Sequence, residues 1–77
     1  MDNYKTIEQK LRNLAPFNGN SMTADFDANG TYRVWSYRTP IADAWPTNEG
    51  LRVKLDERKY SVTTSRHQNL IRKAWGL

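Results

Sequence analysis

Met22-Thr23-Ala24-Asp25-Phe26-Asp27-Ala28-Asn29-Gly30-Thr31-Tyr32-Arg33-Val34-Trp35-Ser36-Tyr37-Arg38 is the stretch that decides the fold. Met22, Ala24 and Phe26 alternate with Thr23 and Asp25, the period of a half-buried strand. Residues 31–38 are rich in β-branched and aromatic side chains and form the return strand. Residues 27–31 fit a three-residue hairpin loop with Gly30 in the left-handed region, where the missing Cβ removes the steric cost. That loop pairs Asp27 with Thr31 and sets Phe26 opposite Tyr32 and Ala24 opposite Val34. Asp25 and Arg33 then face each other on the second side of the sheet, beside Trp35 and Tyr37. A two-residue Asn-Gly turn would slip the register and bring Trp35 and Tyr37 onto the face of Phe26. The three-residue loop is the working expectation.

Ahead of the hairpin, Tyr4, Ile7, Leu11 and Leu14 recur at spacings of three and four, the apolar stripe of a helix. Lys5, Glu8, Lys10, Arg12 and Asn13 form its wet side, and Asp2 or Asn3 supplies the N-cap oxygen. Pro16 restricts Ala15 and ends the helix; Asn18-Gly19-Asn20-Ser21 reads as a turn. After the hairpin, Thr39-Pro40 breaks or edges the sheet, because proline cannot donate to a ladder. Residues 41–45 read as a short third strand, ended by Pro46-Thr47-Asn48-Glu49-Gly50. Leu51, Val53 and Leu55 alternate with Arg52 and Lys54, a strand with one apolar and one cationic face. A charged turn at 56–59 and extended Tyr60-Ser61-Val62 lead to a last helix ending at Trp75, with Thr63, Thr64 or Ser65 as its N-cap. His67, Leu70, Ile71, Ala74 and Trp75 share its apolar face, Arg66, Asn69, Arg72 and Lys73 point outward, and Gly76 suits its C-terminal end.

The expectation is therefore a single small domain over residues 1–77 of the α+β class. In it, an antiparallel sheet of three to four strands is flanked by an N-terminal and a C-terminal helix. Its core is expected from Tyr4, Ile7, Leu11, Leu14, Phe26, Val34, Leu51, Val53, Leu55, Leu70, Ile71 and Trp75. At 77 residues there is material for one core only. The three Trp, four Tyr and two Phe supply a bulk that disordered chains of this polarity lack. The absence of cysteine removes disulfides and thiolate metal sites and is compatible with a reducing cytoplasm. No apolar run approaches the roughly 20 residues of a membrane span, and residues 1–5 lack the apolar block of a signal peptide. A soluble intracellular protein is expected.

Charge is distributed unevenly. Residues 1–50 carry five Lys/Arg and six Asp/Glu, whereas residues 51–77 carry seven Lys/Arg and two Asp/Glu. The basic third points to an acidic partner or a phosphate-bearing ligand rather than to chemistry on a small substrate. Two sets of residues fit such a partner. Arg33, Trp35 and Tyr37 from one strand and Arg52 and Lys54 from another interleave aromatics with cations, a surface for unstacked bases and neutralised phosphates. Burial of Trp35 under a helix and neutralisation of Arg33 by Asp25 compete with that reading. Thr63, Thr64, Ser65 and Arg66, with Lys59 before them, gather at a helix start, where amides and dipole favour an anion. Capping alone also explains those hydroxyls. Lys73 extends the basic surface of the helix.

Other motifs are weaker. Asp25-x-Asp27-x-Asn29-Gly30 matches the opening of a calcium loop, but Ser36 stands where a bidentate glutamate is needed, and a hairpin turn explains the string. His67 is the only conventional general base; it lies on an apolar helix face, with no nucleophile-elbow context and no second metal ligand. No catalytic residue, metal or cofactor is expected.

Ser36-Tyr37-Arg38-Thr39-Pro40-Ile41-Ala42 and Lys59-Tyr60-Ser61-Val62-Thr63-Thr64-Ser65-Arg66-His67-Gln68-Asn69-Leu70-Ile71-Arg72 carry a resemblance. Over residues 32–75 the chain resembles a family of short, uncharacterised proteins encoded by bacteriophages of actinobacteria. The resemblance implies a phage origin and the cytoplasm of a host bacterium as the place of action, and it transfers no catalytic residues. The resulting expectation is a nonenzymatic binding protein for nucleic acid or a phosphate-bearing ligand. The alternative is an effector that occupies or inhibits a bacterial host protein through exposed Trp, Tyr and Arg. No membrane partner is expected.

Overall fold

The computed structural model of the protein describes residues 3–77. Among these, the elements run α1 (Tyr4–Arg12), β1 (Phe17–Asn18), β2 (Met22–Phe26), β3 (Tyr32–Ser36), β4 (Thr39–Thr47), β5 (Gly50–Leu55) and α2 (Val62–Trp75). The strands form one antiparallel sheet in the order β1-β2-β3-β4-β5. The α+β class with two helices stands, but the sheet has five strands instead of three to four. The added strand is β1, where Phe17 lies opposite Ala24 and Asn18 opposite Thr23. A two-residue strand carries no alternation, so the sequence offers no period by which to find it.

The β2–β3 hairpin takes the three-residue loop. Phe26 lies opposite Tyr32, Asp25 opposite Arg33 and Ala24 opposite Val34. The Asp27 amide donates to the Thr31 carbonyl at 2.9 Å, and Gly30 sits at φ +82°. Asp27 Oδ1 accepts from the Asn29 and Thr31 amides at 2.8 and 3.0 Å, so the acidic string at 25–30 serves the turn. These amides hold the Asp27 carboxyl below the usual carboxylate value.

The return strand ends at Ser36, earlier than the sequence implies, because Tyr37 turns into the left-handed region at φ +57°. Thr39 and Pro40 then open β4 rather than breaking the sheet. Val34 pairs with Ala42 and Trp35 with Pro40, which leaves Ile41 as an extra residue at a bulge. Both Ile41 and Ala42 are buried as a result. Pro40 lies beyond the last β4–β5 pair, Ala42 with Leu55, so no β5 ladder bond is lost there. β4 also continues through Pro46 to Thr47, past the end expected at Trp45.

Asn3 caps α1, its side chain accepting from the Thr6 amide at 2.9 Å; the alternative cap, Asp2, lies outside the described residues. The α2 cap is Ser61, which accepts from the Thr64 amide at 3.1 Å, in place of Thr63, Thr64 or Ser65. Gly76 closes α2 at φ +70°. The helices pack on each other and on one sheet face. Trp75 Nε1 donates to the Leu11 carbonyl at 2.9 Å, and the Tyr32 hydroxyl donates to the Ala15 carbonyl at 2.8 Å.

The core comprises Ile7, Leu11, Phe17, Met22, Ala24, Tyr32, Val34, Ile41, Ala42, Ala44 and Ile71, with Leu14, Val53, Leu55, Leu70 and Trp75 packed partly against it. Tyr4, Phe26 and Leu51, all placed in the core by their periodicity, are 50%, 46% and 52% exposed. Phe26 packs edge-on against Tyr32 at the sheet's open end. Leu51 is the second residue of β5, an outer strand: β3 alternates buried and half-buried residues, while β5 has none buried. No helix among the described residues is long and apolar enough to cross a membrane.

Candidate functional site

The expected site residues do not converge on one surface. Arg33, Trp35, Arg52 and Lys54 share the sheet face turned away from the helices, because positions 33 and 35 alternate with buried 32, 34 and 36. Tyr37 leaves this face: at the β3–β4 turn its ring lies 6.3 Å from that of His67. Trp45, which the sequence reading passed over, joins the outer face, opposite Arg52 and half-buried. Its signal was available in the alternation of Asp43 and Trp45 with Ala42 and Ala44.

Asp25, Arg33, Asp43 and Lys54 are successive cross-strand partners, a row of alternating charge over four strands. Arg33 is held by Asp43 at 3.0 Å and by Asp27 at 3.4 Å. Its neutralisation thus comes from these two carboxylates, with Asp25 opposite it in register. Beside this row an open groove of about 580 Å³ is lined in part by Pro40, Asp43, Lys54, Asp56 and Arg58. Arg58 and Tyr60 both donate to the Asp56 carboxylate, and these bonds hold its pKa far below the usual value. The groove is balanced in charge, which weakens it as a phosphate track.

At the start of α2, Ser61 and Thr64 are used internally. Thr64 is buried, with Oγ1 accepting from Ser61 Oγ at 3.1 Å and lying 2.9 Å from Ser36 Oγ. Thr63 and Ser65 are half-buried, and Arg66 and Lys59 are exposed. Lys73 instead pairs with Glu8 at 3.3 Å and ties α2 to α1. Gln68, unexpected from the sequence, is buried and donates to the carbonyls of Asp56 and Arg58 at 2.6 and 3.0 Å, pinning the connection from β5 to α2.

The most constrained polar group is His67, fully buried between both helices and the sheet. Nδ1 lies 2.6 Å from Ser36 Oγ; Nε2 lies 3.2 Å from Ser21 Oγ and 3.5 Å from the Tyr4 hydroxyl. Ser61 donates to Thr64. Either oxygen of the Thr64–Ser36 pair can donate, and the roles of the two ring nitrogens toward Ser36 and Ser21 depend on the tautomer. Burial holds the His67 pKa below 6.5, and among the described residues no carboxylate belongs to its hydrogen-bonded set. Among the described residues no buried side-chain nitrogen or oxygen lacks a partner, and no group of three or more His, Asp or Glu stands ready for a metal.

The opposite character appears at β5, an outer strand of the sheet. Leu51 on the helix-side face and Arg52 and Lys54 on the outer face are exposed, while Val53 and Leu55 are half-buried. Arg52 pairs with Glu49 at 3.3 Å, with both side chains in solvent; such pairs contribute little.

No curated protein and no solved structure matches this chain. The profile of a family of unknown function, DUF8033, matches residues 3–75, and the chain belongs to that family.

Proposed function

We propose that this protein is a small nonenzymatic binding module that recognises an acidic partner protein through the β5 side of its sheet. The observation that carries the reading is the composition of that border. It combines an open strand with a solvent-exposed leucine on one face and two cations on the other. An open strand edge presents main-chain groups to a further strand, and the leucine and cations beside it set which side chains that strand can carry. Together with the likeness of residues 32–75 to phage proteins, the reading makes this a phage accessory protein that occupies a host protein in the bacterial cytoplasm.

Nucleic acid is the second reading, and Trp35 and Trp45 favour it. Both indoles lie on the outer face, and Arg52 is the cross-strand neighbour of Trp45. Bases could stack there while Arg52 and Lys54 neutralise phosphates. The alternating Asp25–Arg33–Asp43–Lys54 row between the indoles lowers the net charge that such a track needs.

Affinity recovery from bacterial lysate, with and without nuclease, separates the two. The protein reading expects a nuclease-resistant partner that the Arg52→Glu/Lys54→Glu variant no longer recovers. Recovery abolished by nuclease would transfer the function to nucleic acid.

A further inference from the structure

We infer that the free edge of β5 is a strand-addition site for an extended partner segment in which apolar and acidic residues alternate. This rests on the protein-binding reading and names the chemistry of its partner. The backbone fixes the geometry. Thr47 Oγ1 donates to the Gly50 carbonyl at 2.6 Å, and the Asp56 amide donates to the Ile41 carbonyl at 2.7 Å. At both ends, then, even-numbered residues of β5 turn their main-chain groups toward β4. In the intervening antiparallel register, Arg52 lies opposite Trp45 and Lys54 opposite Asp43, and these are the bonded pairs between those ends. Leu51, Val53 and Leu55 therefore aim their amides and carbonyls away from the sheet, a template for another strand that no described residue occupies.

The two borders of the sheet differ. β1 is only two residues long, which blunts it, whereas β5 has six residues, with neither proline nor a bulge in its pairing. Its defence is cationic, and that charge selects the occupant. In a two-fold antiparallel pairing of β5 with a second copy, the registers that keep matching faces together set Arg52 against Arg52, Arg52 against Lys54, or Lys54 against Lys54. Like charges directly opposite destabilise a sheet. A partner strand with acids at those positions converts the same repulsion into attraction, and its apolar residues extend the face of Leu51, Val53 and Leu55. The recognised pattern is apolar-acidic-apolar-acidic-apolar, a segment of about 17 Å at the strand rise.

The test uses the whole protein and a fluorescein-labelled peptide alternating valine with glutamate, followed by fluorescence anisotropy. Saturable binding is expected, about tenfold or more tighter than for the same peptide with lysine in place of glutamate. The Arg52→Glu/Lys54→Glu variant should reverse that preference. N-methylation of one alternate set of peptide amides should abolish binding while methylation of the other set leaves it unchanged, the mark of a strand bonded along one edge. An antiparallel addition makes the valine amides the sensitive set. No saturable binding up to millimolar peptide, or equal sensitivity to both methylation patterns, overturns strand addition. A nuclease-resistant partner that survives an excess of the peptide overturns strand addition while leaving the protein-binding reading in place. Binding of a labelled oligothymidylate, lost in the same variant while the peptide stays inert, overturns both in favour of nucleic acid.

Discussion

The His67 centre and the β5 border are built from the same kinds of segment yet are opposites in finish. Around His67, donors and acceptors from α1, the β1–β2 turn, β3 and α2 close on one another and exclude solvent. At β5, three backbone positions and a leucine stand open, and the cations beside them are only loosely engaged. A group whose partners all lie within the chain has stability as its work. A border left unfinished in an otherwise closed small domain is where recognition is to be sought.

Substitution at His67 separates the two regions most widely. His67→Ala removes a fully buried ring and leaves Ser36 without its 2.6 Å partner, and we expect a loss of roughly 3–5 kcal/mol in urea denaturation. A loss below about 1 kcal/mol would show the network to be slack and would blur the contrast.

Acidification probes the same region. The folded-state pKa of His67 is depressed, so between that value and 6.5 the unfolded chain binds more protons. Stability is fully present above 6.5 and falls as pH drops through that window toward the folded value. Asp27 and Asp56 are also depressed, but theirs is a separate loss that begins lower, as pH falls below the ordinary value of 3.8. His67→Gln should erase the upper step in melting temperature and leave the lower one. An unchanged upper step in this variant would remove His67 as its source.

The cap comes next in size. Ser61→Ala should cost about 0.5–2 kcal/mol, since Ser61 both caps α2 and donates to Thr64. Thr63→Ala should stay within about 0.5 kcal/mol. A reversal of that order would move the cap and with it the start of the hydroxyl chain.

At β5 the effects on stability are smallest. Leu51→Ala, at a half-exposed site, should cost less than about 1 kcal/mol, and Arg52→Glu/Lys54→Glu, which sets like charge opposite Asp43, should cost about 1 kcal/mol while abolishing partner recovery. Large destabilisation by either would mean that β5 is part of the core and not a reserved surface.

Much of this contrast was legible in the sequence, unequally. The β2–β3 register followed from alternation plus the loop chemistry of Asp27, Asn29 and Gly30, all local signals. The helices followed from their stripes, and β5 from its strict alternation. What the sequence could not reveal was coverage. Phe26 and Leu51 alternate like core residues, but their exposure depends on where the helices come to rest. Pro40 reads as a breaker because the bulge that admits it depends on the pairing of two other segments. Three hydroxyls in a row hid the cap two residues upstream of them. His67 lay correctly on the apolar face, but its partners sit 31, 46 and 63 residues away, beyond any local pattern. Ser36 alone could have been found, since the register sets it inward with Tyr32 and Val34.

Residue-resolved amide hydrogen exchange on the free protein tests the central claim most directly. The account predicts that the amides of Leu51, Val53 and Leu55 exchange freely while those of Arg52 and Lys54, bonded toward β4, are protected, and that an alternating acidic peptide extends protection to the first three. Equal protection of all five amides in the free protein would mean that the β5 edge is already covered, and would contradict it.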